Sequence, residues 1–253
     1  MLSFVGLGLF DERSITIEGR DTMAVADRVF LEWYTSTLPG CDITDLEAFH
    51  GIPIHRLDRA AVEQDPERIL TTAEDKHVVF LTGGDPLIST THIDLRLRAE
   101  QRGIETQLVH APSAATAASG LTGLQNYRFG KSTTIPFPGT ITETVPQSVV
   151  DTIVDNRERG LHTLAYLDID GETDSYLDAA VAAEALASEL QDIIGVVVGR
   201  AGSPNPTVTA GPLEELATQE FGPPLHLLVI PGELHDMERQ ALETFANLDS
   251  SYI

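Results

Sequence analysis

HVVFLTGGDPL, residues 77–87, decides how this chain is read. An apolar run too short for a helix stops abruptly at Gly83, Gly84, Asp85 and Pro86. That is the signature of a buried strand running into a tight loop. In open α/β sheets, loops at the C-terminal ends of strands are where ligands bind. LSFVGLGLF at 2–10 follows the same order, an apolar strand and then Gly6-Leu7-Gly8-Leu9. HAPS at 110–113 follows a third strand. Ser113 is a good N-cap, and the free N–H groups of a helix start attract carboxylates and phosphates. Three features of the N-terminal half thus open at the same kind of place.

Outward from these stretches, strand and helix patterns alternate along the whole chain. Strands are expected at 2–6, 28–33, 77–82, 105–110, 132–137, 161–168, 193–200 and 225–230. Helices are expected at 16–26, 44–50, 60–73, 89–102, 113–121, 146–159, 175–191, 212–219 and 234–247. Such alternation implies α/β architecture with mostly parallel sheets. Met237, Ala241, Phe245 and Leu248 share one helical face, as do Leu177, Val181 and Ala185. Gly103 and Gly160 stand where helices are closed by a left-handed residue. Ile93, Leu95, Leu97 and Ala99 alternate with charged residues like a strand, but the flanking Thr90-Thr91 and Gly103 favour a helix. PFPGTITETVP (136–146) reads as a loop. A boundary near residue 130 gives two domains, 1–130 and 131–253.

The chain has 253 residues, 42% of them apolar, enough for a large core. Its longest apolar runs are far shorter than the roughly 20 residues of a membrane span. The N-terminus has no basic lead, so no signal peptide is expected. The single cysteine, Cys41, rules out an internal disulfide and fits a reducing, cytoplasmic compartment. Charge is the loudest feature: 39 Asp and Glu against 16 Lys and Arg give −23, and only Lys76 and Lys131 are lysines. That is about one net negative charge per 500 Å² of surface. Such a surface repels itself in dilute buffer and is screened in molar salt. The acids are spread along the chain, which points to a halophilic setting rather than to a face for a basic partner. Nucleic-acid binding is disfavoured, because it needs clustered Lys and Arg.

Several candidates compete for the chemistry. The glycine loop lacks the third glycine of a dinucleotide fingerprint, since position 11 is Asp11; Glu32 closes the next strand at a ribose-binding distance. Asp85 either accepts from a ligand or caps the following helix. Gly130-Lys131-Ser132 resembles the end of a P-loop, but Gln125 stands where its first glycine belongs. Asp168 and Asp170 are a weak metal pair, and no HExxH or GxSxG motif occurs. His226, inside LHLLVIPG, reads as a core histidine.

GLGLFDERSIT (6–16), FLEWYTS (30–36), GDPL-x-x-TTH-x-x-LR-x-RA (84–99), HAPS (110–113), TGL (122–124), FGKS (129–132), RGLHTL (159–164), LDI (167–169), RAGSPNPT (200–207) and PGELH (231–235) together resemble the archaeal-type diphthine synthase family. GDPL alone indicates only the wider tetrapyrrole-methylase-like superfamily; the TTH, RGLHTL and RAGSPNPT segments are specific. The resemblance implies two α/β domains with the cofactor in the cleft between them, usually in a homodimer. It implies S-adenosylmethionine as methyl donor, S-adenosylhomocysteine as product, and elongation factor 2 as protein substrate. The amino group of that protein's aminocarboxypropyl-histidine would be trimethylated. Cofactor contacts carry over onto Leu9, Asp85, Ile88, Ser113, Ala114, Leu167, Ala201 and His226, moving His226 from core to cleft. Gly83 stands where the family usually has Pro, and Ala114 where it has a larger aliphatic residue. No metal is implied and no catalytic base is assigned. The chemistry rests on positioning an amine in line with a sulfonium and excluding water. The rival readings are a tetrapyrrole methyltransferase on the same fold and a non-catalytic nucleotide-binding module. Methyl transfer separates them.

Overall fold

The computed structural model describes residues 1–141, 144–171 and 173–252. They form two compact units. The first comprises Met1–Ala114 with Gly171 and Thr173, and the second holds the rest.

The first unit runs β1 (Leu2–Gly6), α1 (Ile17–Ala24), β2 (Arg28–Glu32), α2 (Ile43–His50), β3 (His55–Leu57), α3 (Glu67–Asp75), β4 (Val78–Thr82), α4 (Ile93–Gln101) and β5 (Thr106–Val109). Its five strands are all parallel, in the order β3-β2-β4-β1-β5. Helices cover both faces, so the central strands are buried on both sides and read as unbroken apolar runs. Leu2, Phe4, Phe30, Val78 and Phe80 pack into one core. Val5, Val29, Leu31, Val79 and Leu81, one residue out of step, pack into the other. The ambiguous stretch at 93–101 is helix α4. Leu95 and Ala99, four apart, are buried, whereas Ile93 and Leu97 stand about half exposed. Gly103 closes α4 with φ +74°, and Gly160 closes the helix at Gln147–Glu158 in the second unit with φ +70°. Strand β3 is missing from the sequence reading because HRL is short and polar.

Helix α5 (Ala114–Thr122) starts on the last residue of the first unit's main segment, and the second unit continues through β6 (Thr133–Ile135), α6 (Gln147–Glu158), β7 (Thr163–Leu167), β8 (Ile169–Asp170), β9 (Ser175–Tyr176), α7 (Ala179–Ala187), β10 (Ile194–Gly199), β11 (Thr207–Pro212), α8 (Leu213–Leu216), β12 (His226–Ile230) and α9 (Asp236–Phe245). Here the expectation of mostly parallel sheets fails. In the order β11-β10-β12-β7-β6 only β6–β7 is parallel. Strand β11, which ends in Gly211-Pro212, lies at the edge, where a proline costs no ladder bond. The division falls after Ala114, earlier than the boundary near 130. Residues 115–130 are tied to α9: Gln125 N–H and the Arg128 guanidinium both donate to Glu238, at 2.9 and 3.0 Å.

Two helix readings need correction. Helix α7 begins only at Ala179, where the Asp178 carboxylate accepts Ala180 N–H; residues 175–176 form β9, so Leu177 lies outside the helix. On α9 the buried side carries Glu238 and Leu242. Met237 and Phe245 are 68% and 58% exposed and, with Tyr127 and Ala241, line an open groove of 910 Å³. The loop reading at 136–146 holds for the described residues; Thr142 and Glu143 lie outside them.

Candidate functional site

Strand β1 lies between β4 and β5, so the loops that follow these three strands meet at one edge of the first sheet. Glycine makes their approach possible. A Cβ on Gly6 would stand 2.4 Å from the Gly84 carbonyl oxygen and 2.7 Å from the Ala111 Cβ. Gly8 and Gly84, both at positive φ, exchange backbone hydrogen bonds of 3.3 and 2.7 Å. The Gly-Leu-Gly stretch therefore locks two loops together, and a dinucleotide fingerprint is not its role.

Asp85 joins the third loop to the first two. Its Oδ2 lies 2.8 Å from His110 Nδ1 and accepts Ala111 N–H at 3.3 Å. Among the described residues its Oδ1 receives only a 3.4 Å approach from Leu87 N–H. The Asp85 side chain is 9% exposed, whereas the His110 ring is 72% exposed. Leu9 and Ala114 are half-buried, Ile88 is exposed and Ser113 is buried, all on these same loops. Gly83 packs against Ser36, whose Oγ would stand 2.8 Å from an added Cβ.

Glu32 does not read a ribose. It is fully buried, and its carboxylate accepts Tyr34 N–H, Thr35 N–H and the Thr35 hydroxyl. Burial raises its pKa against those hydrogen bonds. His92, of the TTH segment, is also buried. Its Nδ1 lies 3.4 Å from the Pro86 carbonyl and its ring meets Phe80 edge-on. Burial pushes it down to about 4, so it is neutral at pH 7.

In the second unit, Leu167, Ala201 and His226 sit at one end of three neighbouring strands. Leu167 ends β7, Ala201 follows β10, and His226 starts the antiparallel β12 between them. All three are buried. His226 Nδ1 accepts Ala179 N–H at 3.3 Å and lies 3.5 Å from Asp178. The Gly222 and Pro223 carbonyls flank the ring, yet neither meets Nε2 in hydrogen-bond geometry. Burial lowers the His226 pKa in spite of Asp178. Arg200, in RAGSPNPT, clamps the loop ahead of β12 by donating to the Phe221 and Pro223 carbonyls and to the Thr207 hydroxyl.

The other quoted motifs are structural. Lys131 N–H donates to the Asn156 side chain, which donates back to the Lys131 carbonyl and to Thr163, so FGKS is an anchored turn and not a P-loop. His162, of RGLHTL, accepts Gly232 N–H on Nδ1 and therefore donates from Nε2 to Glu238, 3.0 Å away. Burial lowers the His162 pKa against the pull of Glu238. Burial also pushes Glu238 upward, but the N–H groups of His235, Gln125 and His162 outweigh it and hold the carboxylate low. Asp168 spends its oxygens on Ile169 and Phe137 N–H, and no metal-holding cluster exists among the described residues. No helix there is long and apolar enough to cross a membrane.

Sequence reasoning missed two partners. HAPS drew attention to Ser113, yet it is His110 that meets Asp85. Glu238 drew no attention, because apart from the His235 N–H its partners Gln125, Arg128 and His162 lie more than 70 positions away.

A parallel sheet whose strand-end loops are interlocked by glycine, joined in sequence to a mainly antiparallel α/β unit, defines a class. The family described as Tetrapyrrole (Corrin/Porphyrin) Methylases matches residues 1–217, and the chain belongs to it. Within it the chain belongs to the diphthine synthase family. It is 59% identical to "Diphthine synthase" of Halobacterium salinarum, with 97% of each chain covered. It is 56% identical to that of Halorubrum lacusprofundi, over 100% of this chain and 99% of the other. A solved structure, "Crystal structure of diphthine synthase", superposes with a TM-score of 0.92 at 37% identity, covering 99% of this chain and 98% of the other. The chain is a methyltransferase of diphthamide biosynthesis.

Proposed function

We propose that this enzyme uses S-adenosylmethionine to trimethylate the amino group of the aminocarboxypropyl-histidine of elongation factor 2. The observation that carries the reading is Asp85, held by the third loop through one oxygen while Oδ1 remains underused at the ligand edge of the sheet. The donor set suits the cofactor: a carboxylate for its polar groups, and Leu9, Ile88 and Ala114 for apolar contact. In the second unit the buried His226 Nε2 is a further polar group without a well-aligned partner. Leu9, Asp85, Ile88, Ser113 and Ala114 would hold the cofactor from the first unit, and Leu167, Ala201 and His226 from the second. The bound cofactor supplies a methyl group already activated on a sulfonium. The chain's residues orient that group and exclude water. A homodimer in a saline cytoplasm completes the reading.

Two experiments test it. Mass spectrometry of the modified-histidine peptide should show methyl increments that stop at three, because the quaternary product has no lone pair left. Transfer to a tetrapyrrole but not to this peptide would falsify the assignment. The thermal midpoint should also rise from dilute buffer to molar KCl, as screening relieves the repulsion of a −23 chain. A flat midpoint would sink the halophilic reading.

A further inference from the structure

We infer that His110 is a positioning residue for methyl-donor binding, acting through Asp85. The inference rests on the proposed role of Asp85 as a cofactor ligand.

Asp85 follows Gly84, whose φ is +69°, and its carboxylate has several staggered rotamers to choose among. The selection comes from the loop after β5. His110 Nδ1 at 2.8 Å and Ala111 N–H at 3.3 Å both engage Oδ2. An ionised carboxylate only accepts, so His110 Nδ1 carries the proton and donates it. Two donors on one oxygen fix the plane of the carboxylate. Oδ1 is left with a single long contact, from Leu87 N–H at 3.4 Å, and is the oxygen able to take a ligand's N–H or O–H. The dividing line runs between the two oxygens: Oδ2 belongs to the fold and Oδ1 to the site.

The exposure of the ring argues against a purely structural purpose. At 72% exposed, His110 buries little apolar surface, and exposed ion pairs add little to stability. Its measurable consequence is the orientation of a carboxylate that is itself only 9% exposed.

The geometry names a conservative replacement. The amide nitrogen of Asn is bonded to Cγ, as Nδ1 is in His, so His110→Asn keeps a donor near the same point while His110→Ala removes it. The test is a calorimetric titration of S-adenosylhomocysteine into the full chain in molar KCl, with each variant's melting checked alongside. His110→Ala should bind three- to tenfold more weakly with an unchanged melting temperature, and His110→Asn should stay within twofold of the parent. Asp85→Ala should weaken binding at least as much as His110→Ala, and the double variant no more than Asp85→Ala alone. In turnover, His110→Ala should raise KM for the methyl donor and leave kcat alone. Parent-like binding by His110→Ala overturns the inference, as does an Asn variant as weak as the Ala variant or multiplying effects in the double variant. If Asp85→Ala itself binds like the parent, the proposed cofactor role of Asp85 has failed, and the inference with it.

Discussion

Each unit of this chain holds a close acid–histidine pair that can be set against the other. His110 and Asp85 are 2.8 Å apart, with the ring in solvent. His162 and Glu238 are 3.0 Å apart, with both side chains fully buried. The chemistry is the same and the consequences differ, because the surroundings set what each pair is worth. The exposed pair is screened by water and salt, so it can orient a group but contributes little to folding. The buried pair has no water to fall back on. Glu238 also takes N–H groups from Gln125 and His235 and the Arg128 guanidinium, so losing it strands several donors at once.

The largest effect should come from breaking the buried pair. Glu238→Ala should destabilise the chain by about 3–5 kcal/mol, the usual cost of removing one partner from a buried charged network. For a chain of this size that is a loss of about 6–20 °C in the melting temperature. Scanning calorimetry at fixed KCl checks it, and a drop of a degree or two would mean the network is dispensable.

Acid should come next, through a third histidine that has no acid directly bonded to it. Burial holds His92 near 4, against 6.5 when free, with partial compensation from the Pro86 carbonyl and Glu63. The folded state therefore refuses a proton that the unfolded state accepts. Its contribution is complete above pH 6.5 and is lost as the pH falls from 6.5 towards 4, by about 2 kcal/mol at pH 5. His162 and His226, also lowered by burial, act in the same direction. Trp33, the single tryptophan, is buried in the first unit beside Val29 and Leu31 and reports its unfolding. Denaturation followed by its fluorescence at pH 7 and pH 5 should show the loss in the parent and a smaller one in His92→Phe. Equal losses in both would clear His92.

The exposed pair should give the smallest change in stability. Asp85→Ala should cost about 1 kcal/mol, the usual net worth of a hydrogen bond, since the next helix starts only at Ile93 and Asp85 does not cap it. His110→Ala should stay within about 0.5 kcal/mol of the parent, as surface changes usually do. A cost for Asp85→Ala matching that of Glu238→Ala would erase the distinction between the pairs.

What was legible in the sequence follows from range. Strands buried on both faces announce themselves as apolar runs, so β1, β2, β4, β7, β10 and β12 were readable. Helix ends at Gly103 and Gly160 were readable because only a few residues tolerate positive φ. Strands β3, β8, β9 and β11 were not, being short or built from polar and turn-forming residues. The direction of the strands in the second sheet was also hidden, since an apolar run has the same pattern in either direction. The candidate site was half legible: the glycines and Asp85 lie in quotable loops, but Glu32, equally conspicuous, folds its carboxylate back onto its own turn.

By itself, then, the amino-acid sequence determined the class of fold, the acidic surface and the loops that meet at the first sheet's edge, because propensity, charge and periodicity act over a few residues. Only the tertiary structure decided which carboxylates are spent and which remain available. Glu32 and Glu238 are saturated by buried donors, and Asp85 keeps one oxygen underused. That distinction depends on partners such as His110 and His162, which lie 25 and 76 positions from their acids and meet them only when the chain has folded.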